Sequence, residues 1–169
     1  MSQIVVCPLS ALEKTVAAYQ ASHVLTLISE DMPVPTPEGI SGDNHLTLHF
    51  NDVAVAAPGL RLAGKGDVDR MIAFIKDWDQ SAPLVIHCWM GVSRSTAGAM
   101  TALAALQPDR PAMEIASELR FAAPFASPNP RIIALADKAL GRNDTMILAA
   151  DAIGIGADCF EGSPFALEV

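Results

Sequence analysis

At 169 residues, about half of them apolar, the chain is long enough for one well-buried core and too short for two comfortable domains, so residues 1–169 are read as a single domain. Eleven basic residues against nineteen acidic ones give a net charge of −8, which argues against nucleic acid or an anionic membrane as the main partner and obliges any anionic substrate to find a local basic pocket. Three widely spaced cysteines, Cys7, Cys88 and Cys159, form no CxxC pair, which argues against a disulfide framework or structural zinc and makes a reducing cytoplasm the expected setting.

Gln3 to Cys7 reads as a first strand ended by Pro8. Leu9 to Gln20 has apolar residues at helical spacing, with Ser10 a candidate cap. His23 to Ile28 returns to β-branched residues as a second strand, and Asp31 to Asp43, with Pro33, Pro35 and Pro37, reads as an irregular loop. Asn44 to Phe50 alternates as a third strand, and Asn51 to Gly66 is loop-like. Asp67 to Gln80 places Met71, Ile72, Phe74, Ile75 and Trp78 on one helical face. Pro83 to His87 is a short buried strand, and Ser95 to Leu106 an Ala-rich helix. Further helices are expected over Ala112–Phe121 and Arg131–Leu140, the latter stopped by Gly141. From Asn143 a last helix is expected to fray into an acidic, glycine-containing tail, solvated or folded against the core.

The resulting fold class is α/β: a central, mainly parallel sheet of four to five strands flanked by helices, with a helical C-terminal half. The N-terminus shows no basic segment followed by an apolar core, so no secretory signal is read. The apolar runs are too short for a membrane span or carry charges such as Asp137, Lys138 and Arg142. His23, His45, His49 and His87 show no metal-ligand spacing, and neither metal nor cofactor is expected.

The chemistry concentrates in Cys88-Trp89-Met90-Gly91-Val92-Ser93-Arg94, a loop between a buried strand and a helix. A chain turning from strand to helix aims free backbone N–H groups and the helix dipole at one point, which makes an anion site from the amides of Trp89 to Arg94. A free thiol titrates near ~8.5; lowering that beside cations and helix N-termini yields roughly thirtyfold more thiolate at neutral pH. Arg94 offers a planar fork to two oxygens of a tetrahedral oxyanion. Gly91 stands where an inward-bending loop wants positive φ or no side chain.

Thiolate attack on phosphorus needs an acid for the leaving oxygen. Asp52, heading the flexible loop after the third strand, is the candidate, with Asp43 and Asp67 as competitors. It would then act as base toward water. The Ser95 hydroxyl would bond the Cys88 sulfur and ease its departure in the second step; Ser95 and Ser93 are equally candidates for capping the helix. His87 reads as a hydrogen-bonded residue ordering the loop, and His49 as a strand-edge residue or a substrate contact. Cys7 reads as a buried strand cysteine, with a disulfide to an oxidised Cys88 as the alternative.

His87-Cys88, five residues, then Arg94-Ser95 resembles the signature of the cysteine-based protein tyrosine phosphatases, most like their small dual-specificity branch. Ile4 to Ser29 is similar to that family's opening strand-helix-strand, Asp52 lies about where its members keep the general acid, and Ser127-Pro128-Asn129-Pro130 resembles its Asn-containing turn. The resemblance spans roughly Ile4 to Leu140. It implies that Cys88 is the nucleophile, Arg94 the phosphate ligand, Asp52 the acid and base, and Ser95 the assistant of hydrolysis. The substrate it implies is a phosphorylated protein or a small phosphate ester.

The loop departs from the family in its bulky Trp89 and Met90 and in lacking Lys, which speaks against highly charged inositol lipids. Phe50-Asn51-Asp52 replaces Trp-Pro-Asp, and no separate aromatic motif for a deep phosphotyrosine slot is visible. Two other classes remain: a module binding phosphorylated partners without turnover, and sulfur transfer through a persulfide on Cys88.

Overall fold

The computed structural model describes residues 2–169. A five-stranded sheet is built from β1 (Gln3–Pro8), β2 (His23–Ile28), β3 (His45–His49), β4 (Leu84–Cys88) and β5 (Phe165–Glu168), in the order β3-β2-β4-β1-β5. The first four are parallel and β5 runs antiparallel to β1. The helices are α1 (Leu12–Tyr19), α2 (Lys65–Asp77), α3 (Arg94–Leu106), α4 (Ala112–Ala122), α5 (Pro130–Leu140) and α6 (Thr145–Ile153). None is long and apolar enough to cross a membrane.

Strand alternation sorts the core into two layers. Ile4, Val6, Leu25, Leu27, Leu84 and Ile86 face the larger one, with α2 through α6. Val5, Cys7, Val24 and Val85 face the smaller one, closed by Leu12 and Val16 of α1 and by Ile40 from the Pro-rich loop. The central helix α3 is buried along nearly its whole length because its residues are small. At Gly98 a Cβ would stand 3.0 Å from Leu27 Cδ1 and 3.1 Å from Ile86 Cγ2, so α3 lies directly on the sheet. That closeness fixes the end of α3, and with it Arg94, relative to the end of β4.

Three expectations change. The segment Leu9–Gln20 is a 3-10 turn over Leu9–Ala11 followed by α1, and the Ser10 hydroxyl caps neither; it donates to Glu161. The helix expected from Asp67 starts at Lys65, with Asp67 accepting from the Gly64 N–H at 2.8 Å as its N-terminal anchor. The tail after α6 does not fray. It crosses back and ends as β5, where Phe165 and Leu167 point into the core while Glu168 stays outside. Alternation over four residues is enough to complete an antiparallel edge, because β1 offers its unpaired side.

Candidate active site

Gly91 takes φ +70°, and a Cβ there would fall 2.7 Å from Pro8 N. The loop therefore packs flush against the end of β1, which only glycine permits. The loop carbonyls are engaged from outside: Trp89 O accepts from Leu9 N–H at 3.0 Å, Met90 O from Gly162 N–H at 2.8 Å, Val92 O from Ser127 N–H at 3.0 Å, and Ser93 O from Asn129 N–H at 3.3 Å. The carbonyls of four loop residues are thus taken up on the outside, and the Gly91 N–H is free to point at Cys88 Sγ at 3.3 Å.

Cys88 lies at the floor, 2% exposed, with Ser95 Oγ 3.2 Å from its sulfur. Arg94 is buried, and its Nη1 donates to Phe50 O at 2.8 Å and Ser29 Oγ at 3.3 Å. Those two bonds hold the guanidinium from the residues that directly follow β2 and β3. Its Nε is buried with no acceptor among the described residues.

Asp52 stands on the wall of the same cavity, about 360 Å³, shared with Cys88, Trp89, Met90, Val92, Ser93, Arg94, Cys159 and Phe160. Asp52 Oδ1 accepts from Ser93 Oγ at 2.7 Å and from Asn129 Nδ2 at 2.8 Å. Ser93 sits at the N-cap position of α3 but makes no side-chain cap bond, because its hydroxyl is committed to Asp52. The competitors lie elsewhere: Asp67 pairs with Arg61 at 2.9 Å, Asp43 belongs to a 3-10 turn before β3, and neither lines the cavity. His49 does not line it either.

His87 anchors the loop from behind. Its Nδ1 lies 3.2 Å from Cys88 O, which only accepts, so Nδ1 carries the proton and Nε2 is the acceptor. Thr26 Oγ1, 2.7 Å from Nε2, therefore donates to it and must accept from His45 Nε2 at 2.7 Å. His45 Nδ1 then accepts from Thr36 Oγ1 at 2.9 Å. One carbonyl fixes the direction of four consecutive hydrogen bonds. Burial lowers the His87 pKa to about 4, and a second proton, on Nε2, would also remove the acceptor to which the Thr26 hydroxyl donates.

Cys88, Arg94, Asp52 and Ser95 all stand out in the sequence, and the fold gathers all four. The sequence does not point to Ser29 and the Phe50 carbonyl as holders of Arg94, nor to the tail residues at the mouth. The Asn in Ser127-Pro128-Asn129-Pro130 reads from sequence only as part of a turn; its bond to Asp52 joins residues 77 positions apart.

No family model matches this sequence, and no curated relative does. Solved structures match the fold. Human DUSP28 superposes with a TM-score of 0.63 at 17% identity, over 83% of this chain and 93% of its own. The Cydia pomonella PTP-2 phosphatase gives 0.62 at 18%, over 80% and 84%. PTPMT1, solved in complex with PI(5)P, gives 0.57 at 16%, over 82% and 90%. The superpositions establish a dual-specificity-phosphatase-like fold, and at such low identity they establish the fold alone.

Proposed function

We propose that the protein hydrolyses phosphate monoesters, phosphotyrosine and phosphoserine or phosphothreonine among them, through a phosphocysteine on Cys88. The observation that carries this is the orphaned Nε of Arg94, buried in the cavity whose floor is Cys88, where the Gly91 N–H also points at the sulfur. A buried donor without a partner costs about 1–3 kcal/mol, and a tetrahedral oxyanion is the species that supplies acceptors to it and to the loop amides together.

With the phosphoryl group so held, Cys88 Sγ, at the floor of the cavity, attacks the phosphorus. The S–P bond forms as the P–O bond to the alcohol breaks, and the leaving oxygen takes the proton of Asp52. Water then attacks phosphorus, Asp52 accepts its proton, the S–P bond breaks, and inorganic phosphate leaves. Ser95, 3.2 Å from the sulfur, donates to the departing thiolate. A pure phosphate-binding module has no use for that hydroxyl or for Asp52.

The test is hydrolysis of an aryl phosphate, sensitive to vanadate and insensitive to chelators. Cys88→Ser should abolish it, and Asp52→Asn should lower turnover roughly 10²- to 10⁴-fold. Phosphopeptide binding by the unmodified protein with no phosphate released would replace this reading with the binding module, and thiosulfate-to-cyanide sulfur transfer would replace it with persulfide chemistry.

A further inference from the structure

Apart from the loop and Asp52, the cavity is walled by two residues from the far end of the chain, Cys159 and Phe160. They lie on a strap between α6 and β5 that is pinned on both sides of them. Before them, Gly156 N–H donates to Ser127 Oγ at 3.0 Å and Ala157 N–H to Pro124 O at 2.9 Å. After them, Glu161 accepts from Ser10 Oγ at 3.0 Å and Gly162 N–H donates to Met90 O at 2.8 Å. A Cβ at Gly156 would meet Phe125 C at 2.3 Å, and one at Gly162 would meet Phe125 Cε2 at 2.5 Å and Gly91 O at 2.8 Å. The strap is seated on the phosphate loop with no room for a side chain at either pin.

Between the pins, Phe160 is 89% exposed, and Trp89, on the rim of the same cavity, is 53% exposed. Two large aromatic side chains are thus presented to water at the mouth by backbone that is fixed. The charges narrow what fits there. Among the described residues Arg94 is the only basic one lining the cavity, while Asp158 and Glu161 flank the strap residues, so a second phosphate finds no cation. The occupant these walls favour has one phosphoryl group below and a flat apolar group above.

The geometry points to Phe160, with Trp89, as the specificity-determining pair that stacks the aryl group of a phosphotyrosine-type ester. This rests on the phosphatase reading and deepens it: the sequence shows no separate aromatic motif for such a slot, and the strap supplies one from the C-terminal end of the chain. Phosphoserine, whose side chain is one methylene, presents no ring to that rim.

The experiment compares phosphotyrosine and phosphoserine peptides of one sequence as substrates of the whole chain, by kcat and KM. An aromatic pair of this kind is worth about 3- to 10-fold. Phe160→Ala and Phe160→Leu should raise KM for the phosphotyrosine peptide by that factor and leave the phosphoserine values within about twofold, and Phe160→Trp should keep the preference. Equal effects on both peptides, no effect on either, or a wild-type preference for phosphoserine would overturn the assignment while leaving the phosphatase intact. A wild-type protein that hydrolyses neither peptide, nor any aryl phosphate, removes the phosphatase reading itself.

Discussion

Asn129 joins two structures with one side chain: its Nδ2 donates to Asp52 Oδ1 at 2.8 Å while its Oδ1 accepts from Arg131 N–H and Ile132 N–H as the cap of α5. The carboxylate on the cavity wall is therefore positioned by a helix terminus of the C-terminal half. Removing the amide should have two separable effects. Asn129→Ala loses the cap, about 1 kcal/mol and a few degrees of Tm, and loses one of the two bonds on Asp52. Asn129→Asp keeps an acceptor for the cap but places a carboxylate where a donor stood. Both variants should lower kcat roughly 10- to 100-fold, with the larger Tm loss in the alanine variant. An unchanged kcat in both would mean that Ser93 alone positions Asp52.

Gly91 makes a sharper test of the loop. At φ +70°, and with Pro8 N only 2.7 Å from where an alanine methyl would stand, Gly91→Ala cannot be absorbed without moving the loop off β1. The backbone term alone is on the order of 1–3 kcal/mol. Activity should fall by more than Tm would suggest, because the shifted amide is the one that faces Cys88 Sγ. Thermal melts paired with aryl phosphate turnover separate the two effects, and an active, stable Gly91→Ala protein would contradict the packing described.

The strand, loop and helix around Cys88 were legible in the sequence because each is local: a β-branched apolar run, a glycine where positive φ is needed, an Ala-rich helix small enough to lie on a sheet. Asp52 was legible as a carboxylate heading a loop. What decided its environment was not, because Asn129 and Ser93 meet it only after the C-terminal half has packed. Ser93 shows the difficulty well: by position it is a helix cap, and its hydroxyl is taken by a residue 41 positions away. β5 escaped for a related reason. Phe165-Ala166-Leu167-Glu168 is too short to announce a strand, and only the open edge of β1 makes it one.

Burial lowers the His87 pKa from 6.5 to about 4, which makes the folded state sensitive to acid in a defined window. The unfolded chain binds the proton first, so stability is full above about pH 6.5, falls as pH drops toward about 4, and levels off below it. The loss attributable to this one group is on the order of 3 kcal/mol. His23 and His45 are also lowered by burial and act with the same sign. Denaturant unfolding of the wild type and of His87→Asn at pH 7 and pH 4.5 isolates the His87 share, since Asn keeps a donor for Cys88 O and does not titrate. Equal pH slopes in the two proteins would show that His87 is not the group responsible.

Cys7 and Cys88 sit on neighbouring strands yet cannot meet. In the β1–β4 register Cys7 stands beside His87 and Pro8 beside Cys88, so the two thiols point to opposite faces of the sheet. Cys88 belongs to the larger core and Cys7 to the smaller one under α1. A disulfide between them would require one strand to slip by a residue, which would turn its whole apolar set to the wrong side. Burial also pushes the Cys7 thiol up to about 12, with the Thr15 hydrogen bond opposing only part of that, so Cys7 holds its proton at any pH near neutrality. Two results should follow from limited peroxide treatment and iodoacetamide labelling of the native protein at pH 7.5. Peptide mapping under non-reducing conditions should find no Cys7–Cys88 linkage, and Cys7 should stay unlabelled until denaturant is added. Cys7→Ala should leave the rate of oxidative inactivation unchanged. A slower recovery by reductant in that variant than in the wild type would show that Cys7 does reach the nucleophile, and the register of β1 against β4 would have to be reconsidered.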